Sequence, residues 1–236
     1  MAIVKFMASW RFIDCYGLAS EFHANPMLYV DQRTVSFLEV ARNALVLGSS
    51  QDPSQIDTAV LDRLDAELVV RRSGGGAVYL SPANQLWIDI SIPKKDRLYN
   101  HDLCRSFLPI GSLFLEVLSR VCSLDFEMHS GPLVGGELGR AICFAGIGPG
   151  EITIEGAKVV GVSQRRTQMG AVFQCTIYIR YPRREMEEIM SGTVDSMPLP
   201  GYALGLAELE HQFFDVESSV IISRLTEAIK SVLAEA

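Results

Sequence analysis

The chain lacks the features that would place it in several common protein classes. It has no uninterrupted apolar run of about 18 residues, so we expect no membrane-spanning helix and no membrane partner. Acidic residues outnumber basic ones by 28 to 21, for a net charge of −7. Nucleic-acid binders usually present a basic face, so we expect no nucleic-acid partner. No repeat with a period of about 20–50 residues is visible, which excludes a solenoid.

The cysteines and histidines are few and scattered. The five cysteines, at positions 15, 104, 122, 143 and 175, are odd in number and include no Cys-x-x-Cys pair. We therefore expect neither a disulfide framework nor a zinc site, and we predict no metal ligand. The four histidines, at positions 23, 101, 129 and 211, match no ligand spacing and receive no predicted role. Reduced thiols and the lack of a secretion signal in residues 1–14 predict a cytoplasmic protein.

Apolar residues are plentiful and their spacing indicates the fold class. They make up 48% of the 236 residues, enough for a substantial core, and we predict a single domain over residues 1–236. Short β-rich runs predict strands at residues 34–40, 43–49, 67–70, 77–80 and 171–179. Helical spacing predicts helices over residues 103–122 and 215–236, with Asp57 as the N-cap of another. The pattern predicts an α+β fold with a mixed, largely antiparallel β-sheet flanked by helices.

Two further segments have a clear local pattern. In residues 85–93, Leu86, Ile88 and Ile90 alternate with Trp87 and Asp89, which is typical of a β-strand. Residues 151–163 indicate a hairpin with a tight turn at its Glu-Gly pair, and the run QRRTQMG that follows predicts a mobile basic loop.

The segment RRSGGGAVYL, residues 71–80, places three consecutive glycines between two strand-like runs. A glycine inside a strand costs roughly 0.5–1 kcal/mol relative to alanine, so stability does not explain three of them. Dinucleotide-binding loops and P-loops lead into a helix, whereas a strand follows here, so both are rejected. Bare backbone beside Arg71 and Arg72 suits a flat or elongated ligand with an anionic group. The alternative is a glycine-rich turn with solvated arginines.

The segment GAKVVGVSQRRTQMGAVF, residues 156–173, is the second candidate. Lys158 opens a strand of small and apolar residues, where its ammonium can hold a carbonyl or phosphate oxygen. The alternative is a solvated surface lysine. The pairs Arg165-Arg166 and Arg183-Arg184 could meet an acidic partner domain, although a solvated face also explains the second pair.

Together, RRSGGGAVYL, PANQLWIDI and EITIEGAKVVGVSQRR resemble the lipoate–protein ligase and octanoyltransferase family, which is related in fold to the biotin–protein ligases. The similarity extends upstream to WRFID and NALVLGSSQ, and it covers about residues 10–180. It implies a catalytic domain whose glycine strand lines a tunnel for an acyl chain, and whose lysine, here Lys158, contacts the acyl carbonyl and the leaving group. The implied product is an amide on a lysine of a lipoyl domain.

The resemblance also implies binding residues, substrates and partners. Acyl- or nucleotide-binding roles fall on Arg71, Arg72, Ser73, Gly74, Gly75, Gly76, Ala77, Asn84, Gly161, Gln164 and Thr176. The implied substrate is lipoate or octanoate. The implied acceptor is the lipoyl domain of a 2-oxoacid dehydrogenase or the glycine cleavage H protein, and in the transferases the donor is acyl carrier protein.

Two chemistries share this scaffold. The ligases use ATP and Mg²⁺ to form an acyl-adenylate, and they usually carry Asn-Asp where this chain has Gly150 and Glu151. They also commonly have His-Gly where this chain has Gln174 and Cys175. No segment here is similar to the large C-terminal accessory domain of the long ligases. The departures weaken the resemblance to the ligases, although one-domain ligases with a separate accessory protein also exist.

The stretch ICFAGIGPGEITIEGAKVVG resembles a cysteine-dependent octanoyltransferase subgroup, with Cys143 eight residues before Glu151 and fifteen before Lys158. The subgroup's Pro-Ser is replaced by Gly148-Pro149. This resemblance implies a Cys143 thioester, no cofactor, and oxyanion stabilisation by Lys158. An ammonium next to a thiol favours the thiolate that forms such a thioester. The alternative for Cys143 is a buried core cysteine, with Cys175 as a rival nucleophile.

Two other functions remain open at this stage. One is an ATP-dependent lipoate–protein ligase acting through lipoyl-AMP. The other is a non-catalytic lipoate-binding paralogue, because Leu80 stands where a histidine is common and the Asn-Asp and His-Gly pairs are missing.

Overall fold

The computed structural model describes residues 10–24, 31–194, 202–209, 213 and 215–235. His211 and Ala236, the predicted last residue of the final helix, lie outside the described residues. Within these ranges, no helix has both the length and the apolar character that crossing a membrane requires.

The described residues form ten β-strands, six α-helices and several short 3₁₀ segments. The strands are β1 (Arg11–Gly17), β2 (Thr34–Val40), β3 (Asn43–Leu47), β4 (Ala66–Val70), β5 (Val78–Leu80), β6 (Gln85–Pro93), β7 (Glu127–Met128), β8 (Ile152–Ile154), β9 (Ala157–Arg166) and β10 (Gly170–Tyr178). The helices are α1 (Ala19–Ala24), α2 (Thr58–Arg63), α3 (Leu108–Val121), α4 (Gly136–Ala141), α5 (Arg183–Met190) and α6 (Ser218–Glu235).

The strands are arranged in two sheets. A seven-stranded sheet has the order β1-β2-β6-β10-β9-β8-β7, and a three-stranded sheet has the order β4-β3-β5. Only the β1–β2 and β3–β4 pairs are parallel among the strand pairs described. The predicted α+β fold with a mixed, largely antiparallel sheet is therefore confirmed.

The large sheet has a hydrophobic core on each face. On one face, Ile88 and Ile90 pack with Phe114 of α3 and Leu225 of α6. On the other face, Trp87 packs with the residues of the small sheet and of α5. Because both faces are covered, every residue of β6 is buried. The predicted strand in this segment is confirmed, and its alternating residues face two different cores, one on each face of the sheet.

Several local predictions hold at the level of the backbone. Asp57 caps α2 by accepting a hydrogen bond from the Ala59 N–H. The turn between β8 and β9 has positive φ angles of 49° at Glu155 and 81° at Gly156, as tight hairpin turns require. The helix predicted from residue 103 begins only at Leu108, because Pro109 has no N–H and is favoured in the first turn.

The predicted mobile loop QRRTQMG is mostly strand. Residues 164–166 belong to β9, and Arg166 pairs with Ala171 of β10 across a short turn. The Arg166 guanidinium donates hydrogen bonds to the main-chain oxygens of His101 and Asp102, at 3.1 and 3.3 Å. The prediction was wrong because the oxygens that hold Arg166 belong to a segment more than 60 residues away in sequence.

Candidate acyl-transfer site

A narrow cleft lies between the two sheets. Its volume is about 30 Å³, below the range of about 300–1,000 Å³ that is typical of small-ligand sites. The small sheet and its loop contribute Val46, Arg71, Val78 and Leu80; the large sheet contributes Trp87, Gly161, Val162, Ser163, Gln174 and Thr176; His23, Cys143 and Phe144 complete the lining. The cleft brings together the two motifs that lie about 80 residues apart in sequence.

The arginine–glycine loop connects β4 to β5, as the strand–GGG–strand pattern predicts. Arg71 is buried, and its Nη2 donates hydrogen bonds to the main-chain oxygens of Gly74 and Gly76 at 2.9 and 3.0 Å. Gly75 has a φ of 101°, in the region that favours glycine. Arg71 therefore stabilises the conformation of the loop from its buried side.

Gly76 is required by a close contact within the protein itself. A Cβ atom at this position would lie 2.6 Å from the Cys143 nitrogen. The segment carrying Cys143 is also hydrogen-bonded to the start of β5: the Cys143 N–H donates to the Ala77 oxygen at 3.0 Å, and the Ala77 N–H donates to the Ala141 oxygen at 2.8 Å. The glycine motif thus positions Cys143 at the cleft.

Lys158, the second residue of β9, is buried, with a relative exposure of 1%. Its Nζ donates hydrogen bonds to the main-chain oxygens of Cys143 at 2.8 Å and Gly146 at 3.0 Å. The same nitrogen forms an ion pair with Glu151 Oε1 at 2.6 Å. An ammonium has three N–H groups, so these three acceptors use all of them. A solvated surface lysine is excluded by this burial.

Glu151 is held from two sides. Its Oε1 also accepts a hydrogen bond from the Val162 N–H at 3.0 Å, and its Oε2 accepts one from the Gly148 N–H at 2.7 Å. The carboxylate therefore connects β9 to the loop that follows Cys143. In the sequence, Glu151 is part of the spacing between Cys143 and Lys158, and no local pattern indicates this ion pair.

The Cys143 thiol lies beside this ammonium. Its Sγ is 3.9 Å from Lys158 Nζ, and the residue is half-buried in the cleft lining. Cys175, the predicted rival, is fully buried and absent from that lining. Burial raises the pKa of the Cys175 thiol well above its ordinary value, with smaller effects from Asp89 and Glu151. This environment disfavours the thiolate that a nucleophile needs. Of Cys143, Glu151 and Lys158, only Cys143 belongs to the lining, and the other two are buried next to it. We call these three residues the charged end of the cleft.

A different polar network lies around Gln174 of β10. Ser73 Oγ donates to Gln174 Oε1 at 2.8 Å and lies 3.3 Å from Ser163 Oγ. The amide nitrogen of Gln174 lies 3.5 Å from His23 Nδ1 and also bonds the buried carboxyl of Asp89. We call the group of His23, Ser73, Asp89 and Gln174 the neutral end of the cleft.

Burial shifts both ionisable groups of the neutral end away from their charged forms. It raises the pKa of Asp89 to about 7, although hydrogen bonds from Trp87 and Gln174 act in the opposite direction. It lowers the pKa of His23 to about 4, with a further contribution from the positive charge of Arg71. The Trp87 ring stacks on the His23 ring at a centroid distance of 5.0 Å. His23 was assigned no role from sequence, because neither its spacing nor its neighbours indicate a cleft residue.

The other predicted residues are divided between the cleft and its surroundings. Gly161 and Thr176 line the cleft. Gln164 lies outside the lining and donates to Ser106 Oγ at 3.0 Å, and Arg72 is exposed. Asn84 is outside the lining too, where its side chain donates to the Arg180 oxygen at 2.9 Å and joins a turn to the end of β10. The part of the chain that the structure describes contains no group of three His, Cys, Asp or Glu side chains arranged to hold a metal ion.

A family profile for the "Lipoyl protein ligase A/B catalytic domain" matches residues 21–229, which is most of the chain. The chain belongs to this family. Its members attach lipoyl or octanoyl groups, so the protein is an enzyme of the ligase and octanoyltransferase family. Comparison with curated protein sequences gives no match.

Solved structures of lipoate–protein ligases share the fold. A bi-partite ligase from Thermoplasma acidophilum, studied with its E2 lipoyl domain, has a TM-score of 0.68 and 12% identity, and covers 96% of this chain and 84% of its own. A lipoate–protein ligase A bound with ATP has a TM-score of 0.67 and 14% identity, covering 96% and 86%. LipL1 of P. falciparum with lipoate has a TM-score of 0.60 and 11% identity, covering 94% and 63%. The family and fold expected from the sequence motifs are confirmed.

Proposed function

We propose that this lipoyl protein ligase family enzyme is an octanoyltransferase, which moves an octanoyl group from acyl carrier protein to a lysine of a lipoyl domain through a Cys143 thioester. The observation that carries the proposal is the 3.9 Å distance between Cys143 Sγ and Lys158 Nζ, with Cys143 in the lining of the cleft. A neighbouring ammonium favours the thiolate form of a cysteine, and the thiolate is the nucleophile in acyl transfer.

The reaction has two balanced steps. The Cys143 thiolate attacks the carrier thioester, a new Cys143 thioester forms, and the carrier sulfur leaves as a thiolate. The neutral amine of the acceptor lysine then attacks the Cys143 thioester, an amide forms, and the amine proton moves to the departing Cys143 thiolate, which becomes a thiol. Each step passes through a negatively charged oxygen, which an N–H of Lys158 stabilises. No cofactor is consumed in either step.

The surroundings of Glu151 favour this chemistry over ATP-dependent ligation. The resemblance implies that the ligases carry a metal-binding Asn-Asp pair at the positions that Gly150 and Glu151 occupy in this chain. Here Glu151 Oε1 is shared by Lys158 and Val162, and Oε2 accepts from Gly148. The carboxylate is buried beside a cation, so it does not suit a second, divalent one. We therefore assign no Mg²⁺ to this position.

A ligase is the second candidate, and the structures of relatives favour it. One relative holds ATP and another holds lipoate, so ATP with lipoate is the condition that a ligase would need. A non-catalytic lipoate-binding protein is the third candidate. For either enzyme the acceptor that we propose is the lipoyl domain of a 2-oxoacid dehydrogenase or the glycine cleavage H protein, and the T. acidophilum relative was studied with such a domain. The free thiols at all five cysteines agree with a cytoplasmic location.

The test is an incubation of the purified protein with octanoyl–acyl carrier protein in the absence of ATP, followed by intact-mass measurement. We expect one octanoyl adduct on the wild type and none on Cys143→Ser. Adding a lipoyl domain should then discharge the adduct and octanoylate the domain.

Cys104→Ser is the matched control, because Cys104 is exposed and lies outside the cleft lining; it should form the adduct like the wild type. Lipoyl-domain modification only with ATP and free lipoate, and no wild-type adduct, would identify a ligase. Lipoate binding without product under either condition would identify the non-catalytic protein.

A further inference from the structure

The buried ion pair at the charged end has a consequence for how Lys158 can work. All three of its N–H groups are already used, by Glu151 and by the main-chain oxygens of Cys143 and Gly146. An acyl oxygen can reach the ammonium only if one of these acceptors gives way. The acceptors differ in how firmly they are held, and this difference decides which one leaves.

Glu151 is the acceptor that stays. Its two oxygens are fixed by the N–H groups of Val162, in the middle of β9, and Gly148. The oxygens of Cys143 and Gly146 belong to a short 3₁₀ segment and its C-cap, whose hydrogen-bond geometry is poorer than that of a regular helix. Cys143 is held by the bond from its N–H to the Ala77 oxygen. A rotation of the Gly146 peptide is therefore the change that frees an N–H of Lys158 without breaking the ion pair.

Glu151 also stabilises the charge on Lys158. A buried ammonium with carbonyl partners alone is strongly disfavoured, and such a group loses its proton instead. The ionisable groups near Lys158 are Glu151 and Cys143, and the Phe144 ring beside it also packs on Tyr178 and Tyr181. Burial raises the pKa of both tyrosines well above the ordinary value, so neither supplies negative charge at neutral pH.

We propose that Glu151 is the positioning residue of the reaction: it holds Lys158 beside Cys143, while the incoming acyl oxygen replaces the main-chain oxygen of Gly146. The effect on the acyl group rests on the proposed function, whereas the effect on the position of Lys158 does not. Glu151 touches Lys158 and not the reacting atoms, so its role is exerted through the lysine.

The first experiment follows the side chain of Lys158 directly. The chain has only five lysines, so a ¹³C-lysine label gives a simple NMR spectrum in which the Cε signal of Lys158 can be followed. In Glu151→Gln we expect this signal to move and broaden, because the ammonium loses the acceptor that fixes it. Glu151→Asp keeps the charge and should restore most of the wild-type signal. Glu155→Gln removes a charge from an exposed turn residue and should give the wild-type spectrum.

The second experiment measures transfer kinetics with the same variants. In Glu151→Gln we expect kcat to fall by at least about tenfold, with little change in KM for the carrier, and Glu151→Asp should recover most of this loss. An unchanged Lys158 signal in Glu151→Gln would overturn the proposal and leave Glu151 a structural role. If Glu151→Gln does not fold, Glu151→Asp decides: a lowered kcat with an unchanged KM supports the proposal, and wild-type values of both overturn it. An absent Cys143 adduct on the wild type would refute the octanoyltransferase and leave the NMR result standing.

Discussion

At the charged end of the cleft the buried groups carry charge and are paired, whereas at the neutral end burial keeps the ionisable groups away from their charged forms. Lys158 and Glu151 lie 2.6 Å apart. Asp89 and His23 have no opposite charge beside them, and their pKa values move to about 7 and about 4. Buried ionisable groups are therefore accommodated in two ways: by ion pairing near Cys143, and by pKa shifts that favour the neutral forms of Asp89 and His23. The difference is testable through the stability of single variants.

Breaking the ion pair should have the largest effect. Lys158→Met leaves the buried Glu151 carboxylate without its cation, and we expect a loss of about 3–5 kcal/mol in the free energy of unfolding. The double variant Lys158→Met/Glu151→Gln removes both charges, so it should recover most of that loss. Urea unfolding at pH 7 measures both values. Equal stability of the single and double variants would show that the pair is not electrostatically coupled.

At the neutral end, the effects of Asp89 and His23 on the pH dependence of stability should nearly cancel. Asp89, with its folded pKa raised from 3.8 to about 7, adds stability at low pH that is lost as the pH rises towards 7. His23, with its folded pKa lowered from 6.5 to about 4, adds stability above pH 6.5 that is lost as the pH falls towards 4. Each contributes a slope of about 1.4 kcal/mol per pH unit, with opposite signs, so the two nearly cancel between about pH 4 and 6.5.

Single variants should expose the two slopes. Relative to the wild type, Asp89→Asn should lose stability as the pH falls from about 6.5 to 4, and His23→Asn should gain stability over the same interval. The measurement is a series of urea unfolding curves at half-unit pH intervals. Parallel curves for the wild type and both variants would mean that neither group is shifted by burial.

The smallest effect is expected at Ser73. Ser73→Ala removes the donor to Gln174 Oε1, and the loss of one hydrogen bond should lower the free energy of unfolding by about 1 kcal/mol. This donor also orients the Gln174 amide so that its nitrogen meets His23 Nδ1, which places the imidazole proton on Nε2. ¹⁵N NMR of His23 should show the Nε2–H form in the wild type and a mixture in the variant. An unchanged tautomer would mean that Asp89 alone orients the amide.

Much of the fold could be predicted because it is encoded over short distances along the chain. The Asp57 cap, the turn at Glu155 and Gly156, and the final amphipathic helix each depend on residues within a few positions of one another. The predicted final helix, residues 215–236, is observed as Ser218–Glu235. The mobile basic loop was wrong because a distant segment supplies the contacts that fix its structure.

The candidate site was predictable in outline only. The spacing of Cys143 and Lys158 is a property of one continuous stretch of chain, and the structure places their side chains in contact. The roles of the glycines were less accessible, since Gly76 is constrained by the backbone of Cys143 rather than by a ligand alone. The sequence named these residues without showing which atom each one faces.

The sequence by itself determined the family, the fold class and the order of the motifs, because these are recorded as residue types at fixed spacings. Only the tertiary structure decided that Glu151 is paired with Lys158 and that His23 enters the cleft. The contact of His23 with Gln174 joins positions 151 residues apart, and no local pattern constrains such a pair. Burial then sets the electrostatics, because the free energy of a charge depends on the groups packed around it and not on its neighbours in sequence.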